Sequence, residues 1–224
     1  MNIALYIDHT ILKPTTLVAE VKQLCEEAVS EGFAAVCVPP LFVKMAKLYC
    51  MPTAVKVATV IGFPFGYSAI EAKVAEILLA IVDGVDELDV VINIAALKNG
   101  DWQYLSKELN AIMLVVRKNH KVIKIIIETG VLTDAEIIQC CDLYGIAGVD
   151  YVKTSTGYAQ VGASLQTVML LRKHLADTIK IKASGGIQTL AMASAMIVAG
   201  ADRLGTSSGL KIMQEQKTLN DANS

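Results

Sequence analysis

No apolar run in this 224-residue chain approaches the ~18 residues needed to cross a bilayer, so no membrane span is expected. The 20 basic and 22 acidic residues are spread along the chain for a net charge of -2. The basic stripe that tracks a phosphate backbone is missing, which argues against nucleic acid as a partner. Residues 1–10 contain neither a basic stretch nor an apolar core with a small-residue cleavage site, so no secretory signal is read and a cytoplasmic location is expected. Five cysteines, at 25, 37, 50, 140 and 141, show no C-x-x-C spacing, which speaks against a zinc site and a disulfide framework and leaves reduced, mostly buried thiols. The three histidines, His9, His120 and His174, are too scattered for a ligand set or a triad, and no metal is expected.

What remains is strongly apolar, with 54% hydrophobic residues. Without a membrane to enter, that surface must be buried within protein, and strands covered on both faces read as continuous Val/Ile/Leu runs. Eight such runs occur. The first four are Leu5 to His9, Ala34 to Val38, Val55 to Ile61 and Glu87 to Ile92; the others are Val122 to Glu128, Tyr151 to Thr154, Ile179 to Ala183 and Arg203 to Gly205. Helix-period stretches separate them, near Leu17 to Ser30, Leu41 to Tyr49, Ala69 to Val82, Trp102 to Arg117, Asp134 to Tyr144, Leu165 to Leu175 and Leu190 to Val198. Strict βα alternation without a Pro- or Gly-rich linker predicts an α/β fold built as one (β/α)8 TIM barrel. Residues 1–213 are assigned to this catalytic barrel. The polar stretch 214–224 (QEQKTLNDANS) is read as a frayed helix end or disordered tail.

Barrels of this kind place chemistry at the C-terminal ends of their strands. Two consecutive strand candidates carry a lysine next to that end, Lys153 before the small, hydroxyl-rich Thr154-Ser155-Thr156-Gly157, and Lys182 before Ala183-Ser184-Gly185-Gly186. One such lysine reads more simply as a side chain snorkelling to a loop carboxylate. Two of them facing inward on strands ~4.8 Å apart are electrostatically expensive, and this tips the reading toward function. An amine nucleophile must be neutral, and an unperturbed lysine at ~10.4 almost never is at neutral pH; a dry pocket and a neighbouring cation lower that value. Period-2 alternation sends Glu87, Asp89, Val91 and Asn93 to one face and Leu88, Val90 and Ile92 to the helices. Asp89 then either pairs with a buried lysine or moves protons, roles that are compatible.

Ser184-Gly185-Gly186 after the seventh run and Gly205-Thr206-Ser207-Ser208-Gly209 after the eighth occupy the two loops that often bind phosphate in such barrels, so a phosphorylated small molecule is the expected partner. At the end of the first run, Asp8 and Thr10 either contact substrate hydroxyls or cap the next helix.

Taken in order, IDHTILKP, AAVCVPP, VIGFPFG, DELDVVINIAALKNGDW, IIIETGVLTD, DYVKTSTG, IKASGGI and LGTSSG resemble the 2-deoxy-D-ribose-5-phosphate aldolase family of class I aldolases, from about Ile7 to Leu210. The resemblance implies cleavage of a deoxyribose phosphate through a Schiff base on Lys153, with Lys182 tuning it and Asp89 relaying protons. It implies substrate contacts from Asp8, Thr10, Leu12, Cys37 and Thr156, and a phosphate held by Gly157, Gly185, Gly186, Ser207 and Ser208. It calls for no cofactor, and for a homodimer or higher homo-oligomer. Pro39 and Ala95 depart from the family pattern, as do Tyr158-Ala159-Gln160-Val161 and the missing C-terminal tyrosine. From the residues alone, another Schiff-base aldolase or transaldolase stays open, as does an idle phosphosugar-binding barrel, which would have no need of two crowded lysines.

Overall fold

In the computed structural model, which describes residues 2–222, eight parallel strands close on one another in chain order. They are β1 (Ile7–Thr10), β2 (Ala35–Val38), β3 (Lys56–Ile61), β4 (Glu87–Val91), β5 (Val122–Ile126), β6 (Tyr151–Lys153), β7 (Lys180–Ser184) and β8 (Arg203–Thr206). Around them run α1 (Val18–Glu31), α2 (Val43–Cys50), α3 (Ile70–Val82), α4 (Ile94–Lys98), α5 (Trp102–Lys118), α6 (Asp134–Ile146), α7 (Leu165–His174), α8 (Leu190–Val198) and α9 (Gly209–Ala222). The expected (β/α)8 barrel is the fold observed.

Alternation along the strands builds two cores. Outward residues such as Val36, Leu88, Val90, Ile123, Val152 and Ile181 bury themselves against the helices in one continuous cluster. Each fully buried side chain of this size contributes about 1.5–3 kcal/mol. Inside the barrel the apolar filling is small: Cys37, Ala58 and Val60, with Leu12 and Phe63 packed on them. Much of the remaining interior is ionic, and this is where the site lies. All five cysteines are free and buried.

Local chemistry sets the boundaries. Thr133 caps α6 with its hydroxyl while Glu136 reaches back to the Thr133 N–H, and Ser164 and Thr189 cap α7 and α8. Gly32, in the left-handed region at φ 69°, ends α1. Three boundaries differ from the sequence reading. Leu5 and Tyr6, expected to open the first strand, belong instead to a 3-10 turn over Ile3–Tyr6, where the Asn2 side chain accepts the Ala4 N–H, and the strand begins at Ile7. β5 stops at Ile126, short of Glu128, whose backbone is left-handed at φ 55°. Asn93, expected on the inner face of a strand, instead caps the short helix α4 through its side chain. The polar segment from Gln214 continues α9 as far as Ala222; residues 223 and 224 lie outside the described residues.

Candidate active site

The register of β6 and β7 sets Lys153 directly beside Lys182, and that of β4 and β5 sets Asp89 beside Lys124. All four side chains turn into the barrel and meet at one carboxylate. Asp89 accepts Lys124 through Oδ1 at 2.8 Å, and through Oδ2 it accepts Lys153 at 2.8 Å and Lys182 at 2.7 Å. Lys182 is also paired with Asp8 at 2.5 Å, Lys124 with Glu87 at 2.6 Å, and Arg203 with both Asp8 and Glu87. Three carboxylates therefore face four cationic groups, and their charges balance when one amine is neutral.

The arrangement singles out which amine. Burial presses all three lysines toward the neutral form. For Lys182 the carboxylates of Asp8 and Asp89 outweigh it, and for Lys124 those of Asp89, Glu87 and Asp8 do, so Lys182 is raised above its ordinary value and Lys124 well above. Lys153 has Asp89 alone, shared with two competitors; burial and the charge of Lys182 prevail and its pKa is lowered. Although burial opposes ionisation of Asp89, the three lysines hold it well below the usual carboxylate range. Asp8 is likewise held far down by Lys182, Lys124 and Arg203 against its own burial.

Above this network opens a cleft of about 640 Å³. Lys153 lies in its floor, whereas Asp89, Lys182, Asp8 and Cys37, all fully buried, lie beneath. Thr10, Leu12 and Thr156 line the wall, as do Gly157, Gly185, Gly186 and Ser207. Ser208 stands apart from the wall, its N–H donated to the Thr206 hydroxyl at the start of α9. Gly157, Gly185 and Gly186 all have φ between 83° and 87°, and a Cβ on Gly185 would come within 3.0 Å of Gly162 Cα. Backbone N–H groups bared by glycine, together with the N-terminus of the 14-residue α9, make this end of the cleft suited to an anion.

The sequence reading missed Lys124 and Arg203. Lys124 shares its strand face with Val122 and Ile126, and alternation marks it as inward once β5 is known to close a barrel; Arg203 opens a run too short to show a period. Glu128 was also missed as a functional candidate. Buried at the end of β5, it accepts the Thr156 N–H at 3.3 Å through both oxygens and the Thr156 hydroxyl in a short hydrogen bond. Burial raises its pKa, with Thr156 and Lys153 opposing. The phenol of Tyr158 donates to the Leu12 carbonyl at 2.8 Å and so closes one side of the cleft. Of the histidines, only His9 nears the site; its Nε2 meets Glu27 at 2.8 Å. Among the described residues no cluster of histidine, cysteine or carboxylate side chains has metal-holding geometry.

Fold and site together define a class I aldolase built on a (β/α)8 barrel. Residues 2–215 match the model of the DeoC/LacD family aldolases, and the chain belongs to that family. It is 46% identical over 97% of its length to the deoxyribose-phosphate aldolase of Caldanaerobacter subterraneus subsp. tengcongensis, covering 94% of that protein. It is 49% identical over 96% of its length to the enzyme of the same name from Thermococcus gammatolerans, 96% of which is covered. The tetrameric deoxyribose phosphate aldolase structure from Aeropyrum pernix superposes with a TM-score of 0.90 at 32% identity, over 97% of this chain and 92% of that one.

Proposed function

We propose that this protein catalyses the reversible cleavage of 2-deoxy-D-ribose 5-phosphate to D-glyceraldehyde 3-phosphate and acetaldehyde. The observation that carries this is the single lysine, Lys153, whose pKa falls while its neighbours' rise, in the floor of a cleft with an anion-suited end; the deoxyribose-phosphate aldolase relatives supply the substrate.

The neutral Lys153 amine attacks the C1 aldehyde, and loss of water gives a protonated imine. The imine nitrogen draws the electron pair of the C2–C3 bond as it breaks, while the C3 hydroxyl gives up its proton and becomes the aldehyde of glyceraldehyde 3-phosphate. Protonation of the remaining enamine at C2 and hydrolysis release acetaldehyde and restore the amine. Because the iminium is itself the electron sink, the chemistry calls on no cofactor. Asp89, bonded through one oxygen to both Lys153 and Lys182, is the path for protons between them. Lys182 keeps a positive charge next to Lys153, and Gly157, Gly185, Gly186 and Ser207 surround the phosphate, with Ser208 behind them at the start of α9.

Borohydride reduction in the presence of acetaldehyde tests this reading. Reductive ethylation of Lys153 is the expected product, and an enzyme that turns over the substrate with no adduct at Lys153 would refute the Schiff-base assignment.

Five reduced thiols suit a reducing, cytoplasmic setting. Assembly into a homodimer or larger homo-oligomer is supported by Leu48, Leu79 and Val82, left 66–82% exposed on α2 and α3. Light scattering on the eluting protein checks it, and a monomer at micromolar concentration would exclude it.

A further inference from the structure

Thr156 lies three positions beyond Lys153 and lines the catalytic cleft on one side. On its other side, together with Glu128 and Tyr158, it borders a second, largely apolar cleft of about 400 Å³. Glu128 reaches Thr156 from a backbone at φ 55° and ψ 60°, a left-handed conformation that is strained for a non-glycine residue. Strain of this kind persists where the surroundings enforce it, and here it aims a buried carboxylate at a single hydroxyl.

The bonding capacity of that hydroxyl is small: one proton and two lone pairs. The proton goes to Glu128, and one lone pair accepts the Tyr158 N–H at 3.0 Å. In its ionised form Glu128 can only accept, and the Thr156 proton is then committed to it. One lone pair is left, and the wall that Thr156 forms is the wall of the cleft holding Lys153.

We infer that Glu128 is a positioning residue that fixes Thr156 as a hydrogen-bond acceptor, so that the cleft selects an aldehyde bearing a hydroxyl next to its carbonyl. The inference rests on the aldolase reading above. In the synthetic direction the enamine carbon bonds to the carbonyl carbon of the acceptor, whose oxygen takes up a proton. The neighbouring hydroxyl is not consumed and serves recognition alone. An apolar group at its place would leave the Thr156 lone pair desolvated and unmatched.

The test compares kcat/KM for addition of acetaldehyde to D-glyceraldehyde 3-phosphate and to 3-oxopropyl phosphate, which lacks that hydroxyl. The wild type is expected to prefer the hydroxylated acceptor by about tenfold or more. Glu128→Met and Thr156→Val should each erode that preference by about tenfold, the loss falling on the hydroxylated acceptor, while Thr156→Ser retains it. A wild type without the preference, equal losses on both acceptors in Glu128→Met, or an undiminished preference there overturns the inference. If Glu128→Met does not fold, Glu128→Gln, which keeps one accepting oxygen and replaces the other with a donor, should cut the preference about threefold, and no change would count equally against it. Borohydride trapping keeps the two readings apart. A wild type that forms no acetaldehyde adduct sinks the aldolase reading, whereas Glu128→Met that traps normally and still discriminates sinks this inference alone.

Discussion

Two lysines in this protein are buried, bonded to a carboxylate and shifted to a lower pKa, yet only one can reach a ligand. Lys73 of α3 lies outside the barrel, where its ammonium meets Glu108 of α5 and the Val91 carbonyl, both at 2.7 Å. Glu108 in turn accepts the Asn93 N–H at 3.1 Å, so the pair is closed by protein groups, with Glu76 a more distant second carboxylate. Lys153 lies inside, shares Asp89 with two other lysines and opens upward into the cleft. Burial is the largest cause of the lowered pKa in both cases. A perturbed lysine is therefore poor evidence of chemistry by itself; what separates Lys153 is a cationic neighbour in register and a route to solvent.

The comparison breaks most completely at the amine. Lys153→Ala and Lys153→Arg are expected to lose both turnover and borohydride trapping while keeping the native circular-dichroism spectrum, since neither side chain can form the imine. Lys73→Met should still trap acetaldehyde. Substantial turnover by purified Lys153→Ala would place the nucleophile elsewhere.

Next in size is the effect of the cationic neighbour. Lys182→Met removes a charge that lowers the Lys153 pKa and frees Asp89 Oδ2 to hold the Lys153 ammonium more firmly, so both changes raise that pKa. The neutral fraction of Lys153 at pH 7 shrinks. Most activity should be lost there and partly return above about pH 9, the kcat/KM profile moving to the alkaline side. Asp89→Asn removes the shared proton path instead, and alkali should not rescue it. An unchanged pH optimum in Lys182→Met would mean that its role is contact or proton transfer rather than charge.

A smaller effect belongs to the phosphate end, which has no counterpart around Lys73. Ser207→Glu puts a carboxylate where the substrate dianion is expected. KM for 2-deoxyribose 5-phosphate should rise about tenfold or more while that for unphosphorylated deoxyribose changes much less. Parallel changes in both would move the anion site away from the β8 loop.

How much of this was legible in the sequence follows from the same physics. Continuous runs of Val, Ile and Leu announced the strands, and the strand-end lysines with Asp89 announced the catalytic centre, because a charge in such a run has nowhere to go but inward. Lys124 was overlooked since its partners, Glu87 and Asp89, lie more than thirty residues away, and only the β4–β5 register joins them. Glu128 was concealed for a different reason: it ends an apolar run as a loop residue would, and its role depends on a left-handed backbone that its side chain does not advertise. The polar composition from Gln214 onward left open a frayed helix end or a disordered tail; the helical alternative is the one that α9 takes, continuing from the buried Ile212 and Met213 as far as Ala222.

The smallest effect on activity, and the sharpest control, is expected at the closed pair. Glu108→Leu leaves the Lys73 ammonium buried with only the Val91 carbonyl, and breaking a buried pair in this way typically costs about 3–5 kcal/mol. Lys73→Met with Glu108→Leu removes both charges, and because apolar replacement of a whole buried pair is often neutral, much of that loss should return. The pH dependence has a definite sign. Lys73 is lowered in the folded state, so between its folded value and the ordinary 10.5 the unfolded chain binds more protons and stability rises with pH. Glu108 is raised, so from the ordinary 4.5 up to its folded value the folded chain binds more protons and stability falls as pH increases. Both contributions should vanish in the double variant, as read by urea unfolding at several pH values, with kcat/KM staying within about twofold of wild type at neutral pH. If activity instead fell with stability restored, the Lys73 pair would be acting on the site through Val91 and Asn93, and the contrast between a structural and a chemical lysine would fail.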